Sequence, residues 1–129
     1  MIDKNQPSLT KVGGWVFRIK EPSPPPLETK ILLLLHGHLG NENAMWILAN
    51  PLPKDYTLIA PRAPVELGEN QYSWHKIEPQ WPAIDQYKHL TNQLLNNLDA
   101  WAKDHGPDPI NYDVMGFSQG AVMAYALAI

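Results

Sequence analysis

The run Lys30-Ile31-Leu32-Leu33-Leu34-Leu35 limits what this chain can fold into more than any other segment. Successive side chains of a β-strand point to opposite faces, so a strand that is aliphatic at every position has no face to give to water. The run is far too short to cross a bilayer. It reads as a strand over 30–35 inside a parallel sheet covered on both sides. Parallel neighbours need crossover connections, usually helices, so the rest of the chain should alternate strand with helix.

The pattern on either side agrees. Residues 12–20 read as a strand in which Trp15, Phe17 and Ile19 alternate with Val16, Arg18 and Lys20, and Gly13 and Gly14 suggest a bend or bulge at its start. The stiff run Pro22-Ser23-Pro24-Pro25-Pro26 reads as a connector between strands. Asn41 or Asn43 could cap a helix carrying Ala44, Met45, Ile47 and Leu48, ended by Pro51 and Pro53. Residues 56–60 form a second short buried strand stopped by Pro61, and 62–81 read as a long loop. Pro82 opens a helix to about His105, with Ile84, Tyr87, Leu90, Leu94, Leu95, Leu98 and Trp101 spaced by three and four and Gly106 at its exit. Residues 110–115 are a third short strand, and the small apolar residues from Ala121 onward suit a buried helix. The expected fold is α/β, a mostly parallel sheet with helices on both faces and right-handed crossovers, in one domain over 1–129.

Composition narrows the function. Apolar residues make up 44% and charged residues 18% of the 129, an ordinary globular balance rather than a disordered one. The formal charge is only −3 and no Lys/Arg run appears, so nucleic-acid binding has no electrostatic footprint. There are no cysteines, which removes disulfides, thiolate metal sites and a thiol nucleophile. The residues from Met1 to Pro7 lack the apolar core of a secretory signal, so a cytoplasmic protein is the default expectation.

Gly116-Phe117-Ser118-Gln119-Gly120 carries the chemistry. It is a Gly-x-Ser-x-Gly pattern between an expected strand and an expected helix, the context this motif requires. A nucleophile on so sharp a turn needs a strained backbone, and the residues two before and two after it come too close to bear side chains. The turn also aims a helix N-terminus at the reacting centre. The competing reading is a glycine-rich turn whose Ser118 merely caps the last helix. Acyl transfer further needs two backbone N–H groups facing the forming oxyanion, each worth roughly 3–4 kcal/mol of barrier. One belongs to the residue after the nucleophile, Gln119. His38, in the turn Leu35-His36-Gly37-His38-Leu39-Gly40, is the candidate for the other. His36 and His38 could also be metal ligands, but the turn offers only Glu42 to complete a site. No metal or cofactor is therefore expected, and His36 is read as a brace for the turn. Trp74, in Tyr72-Ser73-Trp74, reads either as the wall of an acyl pocket or as an aromatic covering the core edge. Asp85 and Asp99 fall on the solvated side of the long helix. His75, His89 and His105 receive no role.

Four segments appear in a fixed order: His36-Gly37-His38-Leu39-Gly40-Asn41-Glu42-Asn43, Ile59-Ala60-Pro61-Arg62-Ala63-Pro64, Tyr72-Ser73-Trp74 and Gly116-Phe117-Ser118-Gln119-Gly120-Ala121. In this the chain resembles the phospholipase/carboxylesterase family of α/β-hydrolases, relatives of the acyl-protein thioesterases, from about residue 30 onward. The resemblance implies an α/β-hydrolase fold and an esterase acting on carboxylic esters, lysophospholipids or thioesters through an acyl-enzyme. It carries over Ser118 as nucleophile and the N–H groups of His38 and Gln119 as the oxyanion hole. Position 38 is often apolar in the family, so a His there alters the polarity of the pocket.

In that family the acid and the catalytic His follow the nucleophile. The sequence given ends at Ile129, eleven residues after Ser118, so no residue here inherits those roles and the strands that would hold them are missing. Three expectations follow. This chain alone should be nearly inactive. The strand at 110–115 should be a bare sheet edge prone to aggregation. The partner should be a small-molecule ester, with no nucleic acid and no membrane span, while a homo-oligomer stays open. The competing functional readings are a non-catalytic α/β module binding acyl ligands or a partner along that edge, and one half of a split enzyme.

Overall fold

A computed structural model describes residues 8–24, 26–49, 51–76, 83–105 and 110–129. Strand β3 (Thr29–Leu35) lies inside a five-stranded sheet that also contains β1 (Ser8–Val12), β2 (Trp15–Lys20), β4 (Thr57–Pro61) and β7 (Ile110–Gly116), in the order β1-β2-β4-β3-β7. β3 is parallel to β4 on one side and to β7 on the other, whereas β2 joins β4 antiparallel and β1 joins β2 antiparallel. The aliphatic run therefore does what its composition demands. Ile31, Leu33 and Leu35 enter a core beneath helices α1 (Ile84–His105) and α2 (Gln119–Ala128), together with Leu94, Leu98, Met123 and Ala126. Leu32 and Leu34 enter a second core with Met45, Ala49, Leu58 and Ala60. Both faces of the sheet are covered, as expected, but unequally. Among the described residues, the two α-helices share one face, and the other is covered by a 3-10 helix, Ala44–Leu48.

The structure departs from the sequence expectations at three places. Gly13 and Gly14, expected to bend one strand, are instead the turn of a β-hairpin. Both have positive φ (57° and 85°), the conformation that a two-residue hairpin turn needs, and Val12 pairs with Trp15 across it. Strand β1 leaves no signal in the sequence because its residues are mostly exposed and carry no apolar alternation. The helix expected after Asn41 is one short 3-10 turn. Asn43 makes no side-chain cap. Its own N–H donates to Asn41 Oδ1 at 2.8 Å, an Asx turn, and too few residues remain before Pro51 for an α-helix to repay its nucleation. The expected long loop holds a small hairpin, β5 (Val65–Gly68) with β6 (Gln71–Ser73), turned at Asn70 with φ 57°. Strands of four and three residues leave almost no periodicity to read. Pro82 and Gly106, expected to bound the long helix, lie outside the described residues.

Long-range polar contacts complete the scaffold. The Lys88 ammonium on α1 donates to the carbonyls of Ala126 (2.9 Å) and Ile129 (2.8 Å), capping the C-terminal end of α2 where carbonyls lack partners. Tyr112 donates to Asp99 at 2.6 Å and joins β7 to α1, while Tyr56 donates to Asp113 at 2.5 Å from the opposite face. Asp85 and Asp99 are both exposed, as the sequence suggested.

The central strand should dominate stability. Leu33 is fully buried whereas Leu27 is 97% exposed. Leu33→Ala is expected to lower unfolding free energy by about 3–5 kcal/mol, and Leu27→Ala by less than about 0.5 kcal/mol, both measured by urea titration.

Candidate active site

The two turns singled out in the sequence lie side by side because of topology. β3 connects onward to β4 on one side and pairs with β7 on the other, so the turns leaving its C-terminal end and that of β7 open a crevice between them. Such switch points are where open α/β sheets place their ligand sites. The β7 turn places Ser118 at φ 54° and ψ −118°, a backbone conformation costly for any residue with a side chain. Ser118 is exposed and makes no side-chain cap on α2, which disposes of the capping alternative.

The flanking glycines are required by contact distance. A Cβ on Gly116 would lie 2.3 Å from the carbonyl oxygen of Gly120, and one on Gly120 would lie 2.1 Å from that of Leu35. Gly37 faces the same crevice, where an added Cβ would lie 3.3 Å from the Cβ of Ser118. Phe117 N–H donates to Leu35 O at 3.1 Å, which ties the second turn to the end of β3. The turn at 36–40 and Ser118 are therefore close neighbours, with little room for a side chain at position 37.

The backbone N–H groups of His38 and Gln119 have no acceptor among the described residues, and the same holds for those of Gly37 and Ser118. Other donors of the two turns are used. Leu39 N–H donates to Tyr72 O (2.9 Å), Gly40 N–H to Gly37 O (3.0 Å) and Gly120 N–H to Phe117 O (2.9 Å). Gln119 is also the first residue of α2, where backbone N–H groups have no partner within the helix and the dipole favours an anion.

His36 holds its turn from inside. It is 1% exposed, its Nε2 accepts from Ala63 N–H at 3.0 Å, and its Nδ1–H donates to Gly37 O at 2.7 Å. Both ring nitrogens are thus engaged, in a defined neutral tautomer. Its carbonyl accepts from Trp74 Nε1–H at 2.7 Å, and the two rings lie 5.2 Å apart. Trp74 is only 2% exposed and belongs to the main core. Of its two sequence readings, the burial fits the one in which it closes the core edge. Among the described residues, no three His, Cys, Asp or Glu side chains gather as metal ligands would.

Three contacts of the site had no signal in the sequence, although their residues lie in the segments it singled out. Arg62 Nε donates to Glu42 Oε1 at 2.5 Å, a pair whose carboxylate is almost wholly buried, and the guanidinium lies 4.8 Å over the ring of Tyr72. Ser73, fully buried, presents its hydroxyl to both turns. His38 Nδ1 lies 3.1 Å from it and the Gln119 side-chain amide 3.1 Å from it, while Gln119 Oε1 accepts from Trp74 N–H at 2.9 Å. The partners of Ser73 are 35 and 46 residues away, beyond the reach of any local pattern.

No protein-family model matches the chain. No curated protein matches it either. Solved structures do. Esterase PE8 superposes with a TM-score of 0.57 at 25% identity, over 82% of this chain and 54% of that protein. The fold is that of the α/β-hydrolases. A candidate lipase from Acinetobacter baumannii AYE shares it, with a TM-score of 0.55 at 21% identity over 95% of this chain and 36% of the lipase. So does the juvenile hormone epoxide hydrolase of the silkworm Bombyx mori, with a TM-score of 0.55 at 22% identity over 93% of this chain and 27% of that enzyme. The chain thus spans about half the length of esterase PE8, and less of the other two. Within this α/β-hydrolase fold no helix among the described residues is long and apolar enough to cross a membrane.

Two measurements probe the site's construction. Gly120→Ala forces a backbone clash that no side-chain rotation relieves and is expected to cost at least about 3 kcal/mol. Gly14→Ala has open space around its Cβ and should cost only the positive-φ penalty of about 1–2 kcal/mol. Burial pushes the His36 imidazole below its ordinary value of 6.5, against the opposing pull of its Gly37 hydrogen bond and of Glu42. The native state therefore keeps His36 neutral at pH values where the unfolded chain would protonate it. This contribution to stability is complete above pH 6.5 and is lost as pH falls through the lower folded-state value. Thermal scans from about pH 7.5 down to about pH 5 should show a steeper loss for the natural protein than for His36→Gln.

Proposed function

We propose that this chain carries the nucleophile and the oxyanion site of a serine hydrolase cleaving carboxylic esters. The observation that carries the reading is Ser118 itself. An exposed hydroxyl is held at φ 54° and ψ −118° on a strand-to-helix turn, beside two backbone N–H groups that have no acceptor among the described residues. In this reading Ser118 Oγ adds to the ester carbonyl, its proton passing to a base. The carbonyl oxygen becomes an anion received by the N–H groups of His38 and Gln119. Collapse expels the alcohol or thiol and leaves an acyl-enzyme, which water then cleaves. The esterase among the structural neighbours supports this chemistry. The four ordered motifs support a place beside the phospholipase/carboxylesterase family, with acyl esters, lysophospholipids or thioesters as substrate class.

None of the five histidines of this chain is hydrogen-bonded to Ser118. Their ring contacts lie elsewhere: His36 with Gly37 and Ala63, His38 with Ser73, His75 with Lys76 O, His89 with Gln93 and His105 with Trp101 O. Loss of the base in a serine triad costs about six orders of magnitude in turnover and leaves about 10³–10⁴-fold catalysis over water.

The 129-residue chain should therefore turn over short p-nitrophenyl esters at no more than that residual rate. A fluorophosphonate should label it slowly, with the adduct mapping to Ser118 by peptide mass analysis and absent from Ser118→Ala. Turnover at full enzymatic rates, or an adduct confined to another residue, contradicts the assignment.

A further inference from the structure

The Ser73 hydroxyl is placed where it can organise both halves of the oxyanion site. Its oxygen has one proton to give and two lone pairs to receive with. The proton has an evident acceptor, since Ser73 Oγ lies 2.5 Å from His75 O. Gln119 is oriented independently, because Trp74 N–H donates to its side-chain oxygen at 2.9 Å. Its Nε2 is thereby left to donate to Ser73 Oγ at 3.1 Å. The remaining contacts are His38 Nδ1 at 3.1 Å, Gln119 Oε1 at 3.2 Å, which is a much longer acceptor for the Ser73 proton than His75 O, and the His75 N–H at 3.3 Å. With its proton on His75 O, the Ser73 oxygen can only accept from His38. The His38 ring must then carry its proton on Nδ1, leaving Nε2 unprotonated.

We propose that Ser73 is a positioning residue whose hydroxyl accepts hydrogen bonds from His38 Nδ1–H and from the Gln119 amide, and so sets the spacing of the two backbone N–H groups that receive the oxyanion. The inference rests on the proposed esterase reading for its catalytic consequence, but its hydrogen-bond content stands without it. Backbone contacts bring β6 to the same place. Tyr72 N–H donates to Gly40 O at 2.9 Å, and Leu39 N–H donates to Tyr72 O at 2.9 Å, so the first turn already hangs on β6. Among the described residues, the second turn is hydrogen-bonded to β6 only through the Gln119 side chain, whose contacts with Ser73 and Trp74 close the gap between them. A His at position 38 supplies the matching bond from the first turn, which an apolar residue could not make. Oxyanion donors act through sub-ångström placement, so loosening either one lowers turnover rather than substrate affinity.

Long-range proton–nitrogen NMR of the His38 ring in the 129-residue protein, at a pH where the ring is neutral, tests the hydrogen-bond assignment directly. Nδ1 should appear as the protonated nitrogen, the reverse of the Nε2–H form that free histidine prefers in water. Ser73→Ala should return the ring to that form and speed hydrogen exchange of the Gln119 side-chain amide, and Ser73→Thr should restore both. Finding Nε2–H in the unmodified protein overturns the proposal even if Ser73→Ala does not fold. A folded Ser73→Ala with unchanged tautomer and exchange also overturns it. The catalytic part is read from fluorophosphonate labelling of Ser118, whose maximal rate should fall about tenfold in Ser73→Ala with little change in half-saturating concentration. If Ser118 in the unmodified protein is not labelled, the esterase reading fails and the tautomer result still stands. An unchanged maximal rate in a folded Ser73→Ala leaves the esterase reading intact and overturns the positioning role.

Discussion

Gly120 meets the end of β3 so closely that a β-carbon would lie 2.1 Å from the Leu35 carbonyl oxygen. The architecture around the crevice depends on that approach. It lets α2 start directly above the C-terminal end of the central strand, which brings the first N–H of the helix beside the turn that leaves β3. It also forces the chain between β7 and α2 into a turn too tight for ordinary backbone angles, and the strain falls on Ser118. The position and exposure of that side chain are thus consequences of a packing contact between a glycine and a peptide carbonyl.

A strained turn persists only if its surroundings over-determine it. Here the reinforcement is layered. Leucines of β3 fill cores on both sheet faces, so the strand that carries the first turn cannot shift without disturbing both. His36 and Trp74 interlock beneath the turn, each burying an aromatic ring and satisfying a polar atom of the other's neighbourhood. The Glu42–Arg62 pair joins the segment after the turn to the end of β4. A buried carboxylate with one guanidinium partner contributes little to net stability, because its desolvation offsets much of its attraction. Ser73 then couples the two turns through side chains. The site is thus braced on the side of β3 and β6, and Ser118 stands exposed.

Much of the architecture was legible because its causes are local. Ile31 to Leu35 announce a doubly covered strand by composition alone, and the spacing of Leu94, Leu98 and Trp101 announces a helix face. Gly116 and Gly120 bracket Ser118 at a spacing with a single steric explanation. Elements without such periodicity were misread. β1 is exposed and short, the 3-10 segment is too brief for helical spacing to build up, and the β5–β6 hairpin has only seven strand residues. Gly13 and Gly14 mark an irregularity in the sequence but not its kind, since positive φ at both residues reverses a chain rather than bending it.

By itself the sequence determined the element types, the doubly buried central strand and the serine turn, because each follows from neighbours within a few residues along the chain. Tertiary structure alone decided that both α-helices share one face, that Trp74 is core, and that Ser73 reaches two turns lying 35 and 46 residues away. Those outcomes depend on which segments meet in space. Contact across a sheet is set by the sum of many packing preferences and leaves no mark at the positions that make it.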